Sequence, residues 1–163
     1  MRFLCDEMLG RLARYLRAAG YDTDLACDGA PDRDLLVRAE SESRRFLTCD
    51  RRIAEHRRAR ETALILTWAP LDCLAQELYR ALGVDWLHAP FTRCLVDNTP
   101  LTAVPPAATA RMPRDVAAED ARHCPQCGRV YWAGSHHGRM KSRLAAWAAG
   151  IFEDVGASDV RTL

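Results

Sequence analysis

The sequence predicts an α/β fold, a parallel sheet flanked by helices and followed by a small zinc-ribbon-like appendage. Three observations carry this expectation. Apolar runs of strand length alternate with helix-period segments up to about Pro90. Two of the runs, residues 2–6 (Arg-Phe-Leu-Cys-Asp) and 45–50 (Arg-Phe-Leu-Thr-Cys-Asp), nearly repeat each other. Each stops on an aspartate ahead of an arginine-rich segment. Beyond Pro90 the chain turns to Pro, Thr and Ala, then to a Cys-x-x-Cys-Gly turn at 124–128. Strands and helices that alternate with short links form parallel sheets covered on both faces.

The elements follow in order. Strand 1 is expected over 2–5. A helix follows over 9–19, with Leu9, Leu12, Ala13 and Leu16 on one face, Arg11, Arg14 and Arg17 largely on the other, and Gly20 as its cap. A short second strand over 22–26 leads through Gly29-Ala30-Pro31 to a helix over 33–43, with Asp32 placed to cap it. Strand 3 covers 45–49. A basic helical stretch covers 51–60, and a fourth, buried strand covers 62–67. Pro70 opens a helix over 71–82 that Gly83 closes. Residues 1–90 thus read as one unit. Residues 91–149 form the appendage: an aperiodic stretch, the cysteine turn with a strand to 132, and an amphipathic helix over 138–149. The tail, 150–163, has little pattern and is expected to fray.

The 163 residues, 48% of them apolar, suffice for one core with a small addition. A net charge of +1 conceals local asymmetry, because Lys141 is the single lysine and arginines cluster at 11–17, 44–52 and 57–60. Such patches grip a polyanion or simply solvate helix faces. No secretory leader and no apolar run of about 18 residues is evident, which points to a soluble cytoplasmic protein with no membrane partner. Seven cysteines, an odd number, argue against a disulfide framework. Cys5, Cys49 and Cys73 lie in apolar segments as small core residues.

In open α/β sheets, chemistry gathers outside the carboxyl ends of the strands. Asp6 and Asp50 end strands 1 and 3, and Asp32, or its neighbour Asp34, starts the helix between them. Carboxylates crowded together repel unless cations share them. Mg²⁺ and Mn²⁺ take oxygen ligands, keep several waters, and favour attack of water on a phosphodiester. The alternative for each aspartate is a helix cap. Glu7 and Asp28 are nearby acids suited to an outer shell. Arg11, Arg14, Arg51 and Arg52 flank the crevice as candidate phosphate ligands.

Cys124-Pro125-Gln126-Cys127-Gly128 has the form of a zinc knuckle. A tetrahedral site needs a second pair, and Cys94-Leu95-Val96-Asp97 keeps the spacing with Asp97 in place of a cysteine. Zn²⁺ accepts a carboxylate oxygen, so the set Cys94, Asp97, Cys124 and Cys127 is one option. His123, His136 or His137 as a substitute ligand is another, and loss of the metal a third.

These residues together resemble the Mut-seven C-terminal RNase domain family, PIN-like nuclease domains that carry a zinc ribbon. The resemblance starts at Asp6-Glu7-Met8-Leu9-Gly10-Arg11-Leu12 and continues through Asp32-Arg33-Asp34-Leu35-Leu36 and Leu47-Thr48-Cys49-Asp50-Arg51. It resumes at Thr92-Arg93-Cys94-Leu95 and ends with Cys124 to His136. It implies a PIN-like core, a ribonuclease acting on RNA, acids Asp6, Asp32 and Asp50 (Asp34 in reserve) around Mg²⁺ or Mn²⁺, and structural Zn²⁺ on the cysteines. The family pattern has a cysteine where Asp97 stands, which puts the zinc in question and leaves the acids untouched. Two other readings compete. One is an RNA- or protein-binding module with little turnover. The other is a toxin-like nuclease with a cognate inhibitor protein, which the appendage disfavours. The sequence leaves the oligomeric state open.

Overall fold

A computed structural model describes residues 1–27 and 29–152. Asp28 and the tail from 153 onward lie outside the described residues, and with them the outer-shell role considered for Asp28 and the fraying expected of the tail.

Four strands form the main sheet: β1 (Arg2–Cys5), β2 (Asp22–Leu25), β3 (Arg45–Thr48) and β4 (Ala63–Ile65). All neighbours are parallel, in the order β2-β1-β3-β4. The chain passes from β1 outward to β2 and then returns across β1 to β3. The strand order therefore reverses between β1 and β3, which makes their carboxyl ends the switch point where such sheets open a crevice. Side chains alternate as strands require. Phe3, Cys5 and Leu47 enter one apolar cluster, and Leu4 and Phe46 enter the other.

Helices cover both faces. On the first lie α1 (Gly10–Ala18), α4 (Leu71–Leu82) and α5 (Ser135–Ala148), which pack on one another. On the second lie α2 (Asp32–Ser41) and the one-turn α3 (Ala59–Thr62). The first cluster contains the largest buried side chains, including Trp86 and Trp147, whose rings meet edge to face at 4.7 Å. Trp147 also donates its ring N–H to Asp72, at 2.8 Å. Thus α5, far along the chain, completes the core of the sheet.

Several elements depart from expectation. The fourth strand is half-buried along its length, because β4 is an outer strand and pairs only with β3. The basic stretch 51–60 is a 3₁₀ turn, Arg51–Glu55, before α3. Helix α2 starts at Asp32 itself, and Pro31 holds the cap position, so Asp32 is no cap. Helix α5 begins at Ser135, three residues early. By contrast α4 and its closing Gly83, at φ 63°, match expectation.

Two arginines expected in solvent are buried. Arg17 donates to the carbonyls of Thr23, Leu95 and Val96. Arg44 donates to the carbonyl of Phe3 and to Asp22 Oδ1, at 3.0 and 2.7 Å. Both side chains replace water with main-chain acceptors, the condition under which a guanidinium is tolerated inside.

The appendage consists of two turn-centred hairpins. The first closes at an Arg93–Pro100 bridge, and the second pairs β5 (Arg122–His123) with β6 (Val130–Tyr131). A Thr102–His123 bridge joins them. Asn98 fastens the first hairpin to the free edge of β2. Its amide donates to Asp22 and Asp24, and its carbonyl oxygen accepts from the Thr23 N–H. The exposed edge of the sheet is thereby covered. Gly20, at φ 96°, lets the chain turn beneath residue 89; a Cβ there would sit 2.2 Å from the Ala89 carbonyl oxygen. No helix among the described residues is long and apolar enough to cross a membrane.

Candidate functional site

Asp6 follows β1 directly, and Asp50 follows β3 after Cys49, both at the switch point. The Asp6 N–H donates to the Leu47 carbonyl, so the β1–β3 ladder carries on into the site. Each aspartate also caps the turn after it. Asp6 Oδ1 accepts from the Glu7 N–H at 2.7 Å, and Asp50 Oδ1 from the Arg52 N–H at 2.8 Å. Capping uses one oxygen of each carboxylate.

Thr48, which sequence reasoning missed, links the two acids. Its hydroxyl donates to Asp6 Oδ2 at 2.6 Å and accepts from the Asp50 N–H at 2.9 Å. The residue is fully buried. The signal was present, since a hydroxyl at the inner end of an apolar strand must find a partner.

Asp32 leaves the same end of the sheet on the first turn of α2, half-buried, while Asp34 is exposed. Glu7 accepts from the Gly29 N–H and ties the loop ahead of α2 to the turn after β1. Glu77 on α4 also approaches. It accepts from the Thr67 N–H just past β4, at 3.1 Å. Burial raises the Cys49 thiol pKa, and the carboxylates of Glu77 and Asp6 raise it further. The carboxylates of Asp6, Asp32 and Asp50 are not drawn into a set with ligand atoms within 4.8 Å of one another. Arg11, Arg14, Arg51 and Arg52 are all exposed. Trp68, in the loop after β4 at this end of the sheet, is 70% exposed.

A second centre lies in the appendage. Ligand atoms of Cys94, Asp97, Cys124 and Cys127 all lie within 4.8 Å of one another. His123, His136 and His137 are not part of it. The two turns are near copies. Asn98 (φ 70°) donates its N–H to the Cys94 carbonyl, and Gly128 (φ 72°) donates to the Cys124 carbonyl. An asparagine tolerates this left-handed conformation better than most residues, so the first turn keeps its knuckle shape. Burial raises Asp97, but hydrogen bonds from the Thr99 N–H and the Cys127 and Cys94 thiols outweigh it and hold the carboxyl well below its usual range. Burial pushes Cys124 up to about 11. For Cys127 burial is outweighed by the Arg129 N–H, and the thiol shifts downward. Tyr131 turns its hydroxyl onto the Cys94 sulfur at 3.1 Å. This is a donor set for a metal ion.

The family model of the Mut7-C RNAse domain matches residues 1–144. The chain belongs to the Mut7-C RNAse domain family. Neither a curated protein nor a solved structure matches it. The Mut7-C match spans both centres, the acids at the switch point and the cysteine–aspartate set, and its name carries a nuclease-like function.

Proposed function

We propose that this Mut7-C domain is a divalent-metal-dependent ribonuclease that hydrolyses RNA phosphodiesters in the crevice at the carboxyl ends of β1 and β3. The observation that carries it is the Asp6–Thr48–Asp50 linkage at the switch point of the sheet, in a chain of an RNase family. Asp6 and Asp50 each commit one oxygen to a cap, the second oxygen of Asp6 also accepts the Thr48 hydroxyl, and their remaining lone pairs are available at the crevice. Asp32, with Asp34 in reserve, and Glu77 add negative charge at the rim. This set fits Mg²⁺ or Mn²⁺, which bind through a few carboxylates and retain several waters, so the acids need not lie within a single shell of one another. When bound, such an ion supplies water activation and charge stabilisation on the phosphate. Thr48 orients the Asp6 carboxylate and ties it to the main chain of Asp50. Arg11, Arg14, Arg51 and Arg52 grip neighbouring phosphates of the RNA.

Structural Zn²⁺ at Cys94, Asp97, Cys124 and Cys127 is the second part of the proposal. Tetrahedral zinc with bonds of about 2.3 Å to sulfur and about 2.0 Å to oxygen implies edges of about 3.8 Å between sulfurs and about 3.5 Å between sulfur and oxygen. The Cys94–Cys127 sulfurs are 3.7 Å apart, and Cys124 Sγ lies 3.5 and 3.3 Å from the Asp97 oxygens. The donor set fits the ion.

The alternative, an RNA- or protein-binding module with little turnover, draws on one observation: Asp6, Asp32 and Asp50 do not form a set with ligand atoms within 4.8 Å of one another. The deciding experiment compares the wild-type protein with Asp6→Asn and Asp50→Asn on single-stranded and structured RNAs in Mg²⁺ and Mn²⁺. Cleavage that requires the ion and falls at least a hundred-fold in both variants is the expected outcome. Folded wild-type protein that cuts none of the RNAs rules the ribonuclease out in favour of the binding module.

A further inference from the structure

A cavity of about 530 Å³ opens between the second hairpin and the start of α5, far from the acids. Phe91 lies on its wall, and the Phe91 N–H bonds the Ala18 carbonyl at the end of α1. The acids sit beyond the other end of that helix, about 14 Å away along its axis. The cavity is therefore separate from the crevice.

Its walls are flat aromatic faces. Tyr131 and Trp132 come from β6 and the residue after it, and Phe91 with His137, ring centroids 4.0 Å apart, comes from the opposite side. Met140 lines the wall between them. The Tyr131 hydroxyl is committed to Cys94 and the Leu95 N–H, which leaves its ring as the surface it offers. The surroundings are basic. Arg93 and exposed Arg122 stand in the lining, and α5 carries exposed Arg139 and Lys141 with no acid anywhere in Ser135–Ala148. Asp120 is the one acid in the lining, an acceptor suited to the amino edge of a base. Burial, with Lys141 second, lowers His137, so its ring is uncharged near neutrality and stacks as an apolar plane.

A half-open cavity of this size takes a small flat molecule rather than a docked helix. Aromatic planes beside cationic side chains are how proteins hold unpaired bases with their phosphates. We propose that this cavity binds an unpaired nucleotide of RNA, a second contact that holds the strand away from the cleavage crevice. The choice of RNA as ligand rests on the ribonuclease function proposed above.

The test measures fluorescence anisotropy of a labelled single-stranded RNA against the full chain carrying Asp6→Asn, so that no strand is cut. Into it go Trp132→Ala, Trp132→Phe and Met140→Trp, the last filling the cavity while leaving both hairpins intact. Trp132→Ala is expected to weaken binding about ten-fold, within the range that loss of one stacking ring produces. Trp132→Phe should recover most of this loss, and Met140→Trp should weaken binding to a similar degree. A blunt duplex should compete poorly. Unchanged affinity in both Trp132→Ala and Met140→Trp overturns the proposal, as does a duplex that competes equally. If the cavity variants weaken binding while the wild-type protein cleaves nothing, the nucleotide site stands and the ribonuclease falls. If the wild-type protein cleaves and both variants bind normally, the site alone falls.

Discussion

Thr48 shows how much one hydroxyl can decide. It is fully buried, and its two partners are the carboxylate of Asp6 and the main chain of Asp50. Thr48→Val keeps the shape and removes both bonds. Groups that orient metal-binding carboxylates typically cost about ten- to a hundred-fold in activity when lost. We expect that drop in the RNA cleavage rate for Thr48→Val, with Thr48→Ser within about three-fold of wild type; equal rates for Val and Thr would remove Thr48 from the mechanism. The same scale carries a pH dependence. Burial raises the Asp22 carboxyl, but hydrogen bonds from Asn98, Arg44 and Arg2 outweigh it and hold the pKa at about 2. A carboxyl depressed in the folded state stabilises the fold above its unfolded pKa, and that stability is lost as pH falls from about 4 through 2. Asp22→Asn should therefore flatten acid unfolding in that window, removing roughly 2 kcal/mol of pH-dependent stability as measured by urea denaturation at pH 2 to 6.

Among the elements, α1 joins the two parts of the chain. Its apolar face was legible from the spacing of Leu12, Ala13 and Leu16, all buried as expected. Arg17 was not. It follows Leu16 by one position and Ala13 by four, so it flanks the apolar stripe and its exposure depends on what packs beside it. What packs there is the first hairpin, whose Leu95 and Val96 carbonyls accept from its guanidinium. Arg17→Met should leave those acceptors and the Thr23 carbonyl unpaired. A loss of about 3 kcal/mol in chemical denaturation is expected, in line with breaking buried charge-assisted hydrogen bonds. A change below about 0.5 kcal/mol, the size of an ordinary surface substitution, would contradict this role for Arg17.

In the whole molecule, the hairpins and the core are held by different forces. Helix α5 is fixed through Leu144 and Trp147 in the main cluster and needs no metal for that. The hairpins have short strands, with β5 and β6 two residues each, and few buried apolar residues of their own. Asn98 and Arg17 tie the first hairpin to the core, and the cysteine–aspartate set joins the second hairpin to the first. The purified protein should carry about one zinc per chain, four donors making one tetrahedral site. Stripping the metal, or Asp97→Ala, should open the segment between the hairpins to protease while helical circular dichroism stays near its starting value. Asp97→Cys should hold zinc more tightly than the native set, because thiolates suit this ion better than a carboxylate. Full protease resistance after complete metal removal would show that the hairpins stand without it.

By itself the sequence determined the four strands of the main sheet, the aspartates that follow β1 and β3, the limits of α4, and the two similar cysteine turns. Each is written in local periodicity or turn chemistry, which needs no distant partner. The tertiary structure alone decided which polar groups meet. Asn98 reaches Asp22 across 76 positions, and Arg17 reaches Val96 across 79. The aromatic cavity forms where Phe91 from the linker meets β6 and α5. Helical and strand periods specify which face of an element is apolar. They do not specify which remote segment covers its margin, and a buried arginine, a bridging threonine and a cavity wall all lie at such margins.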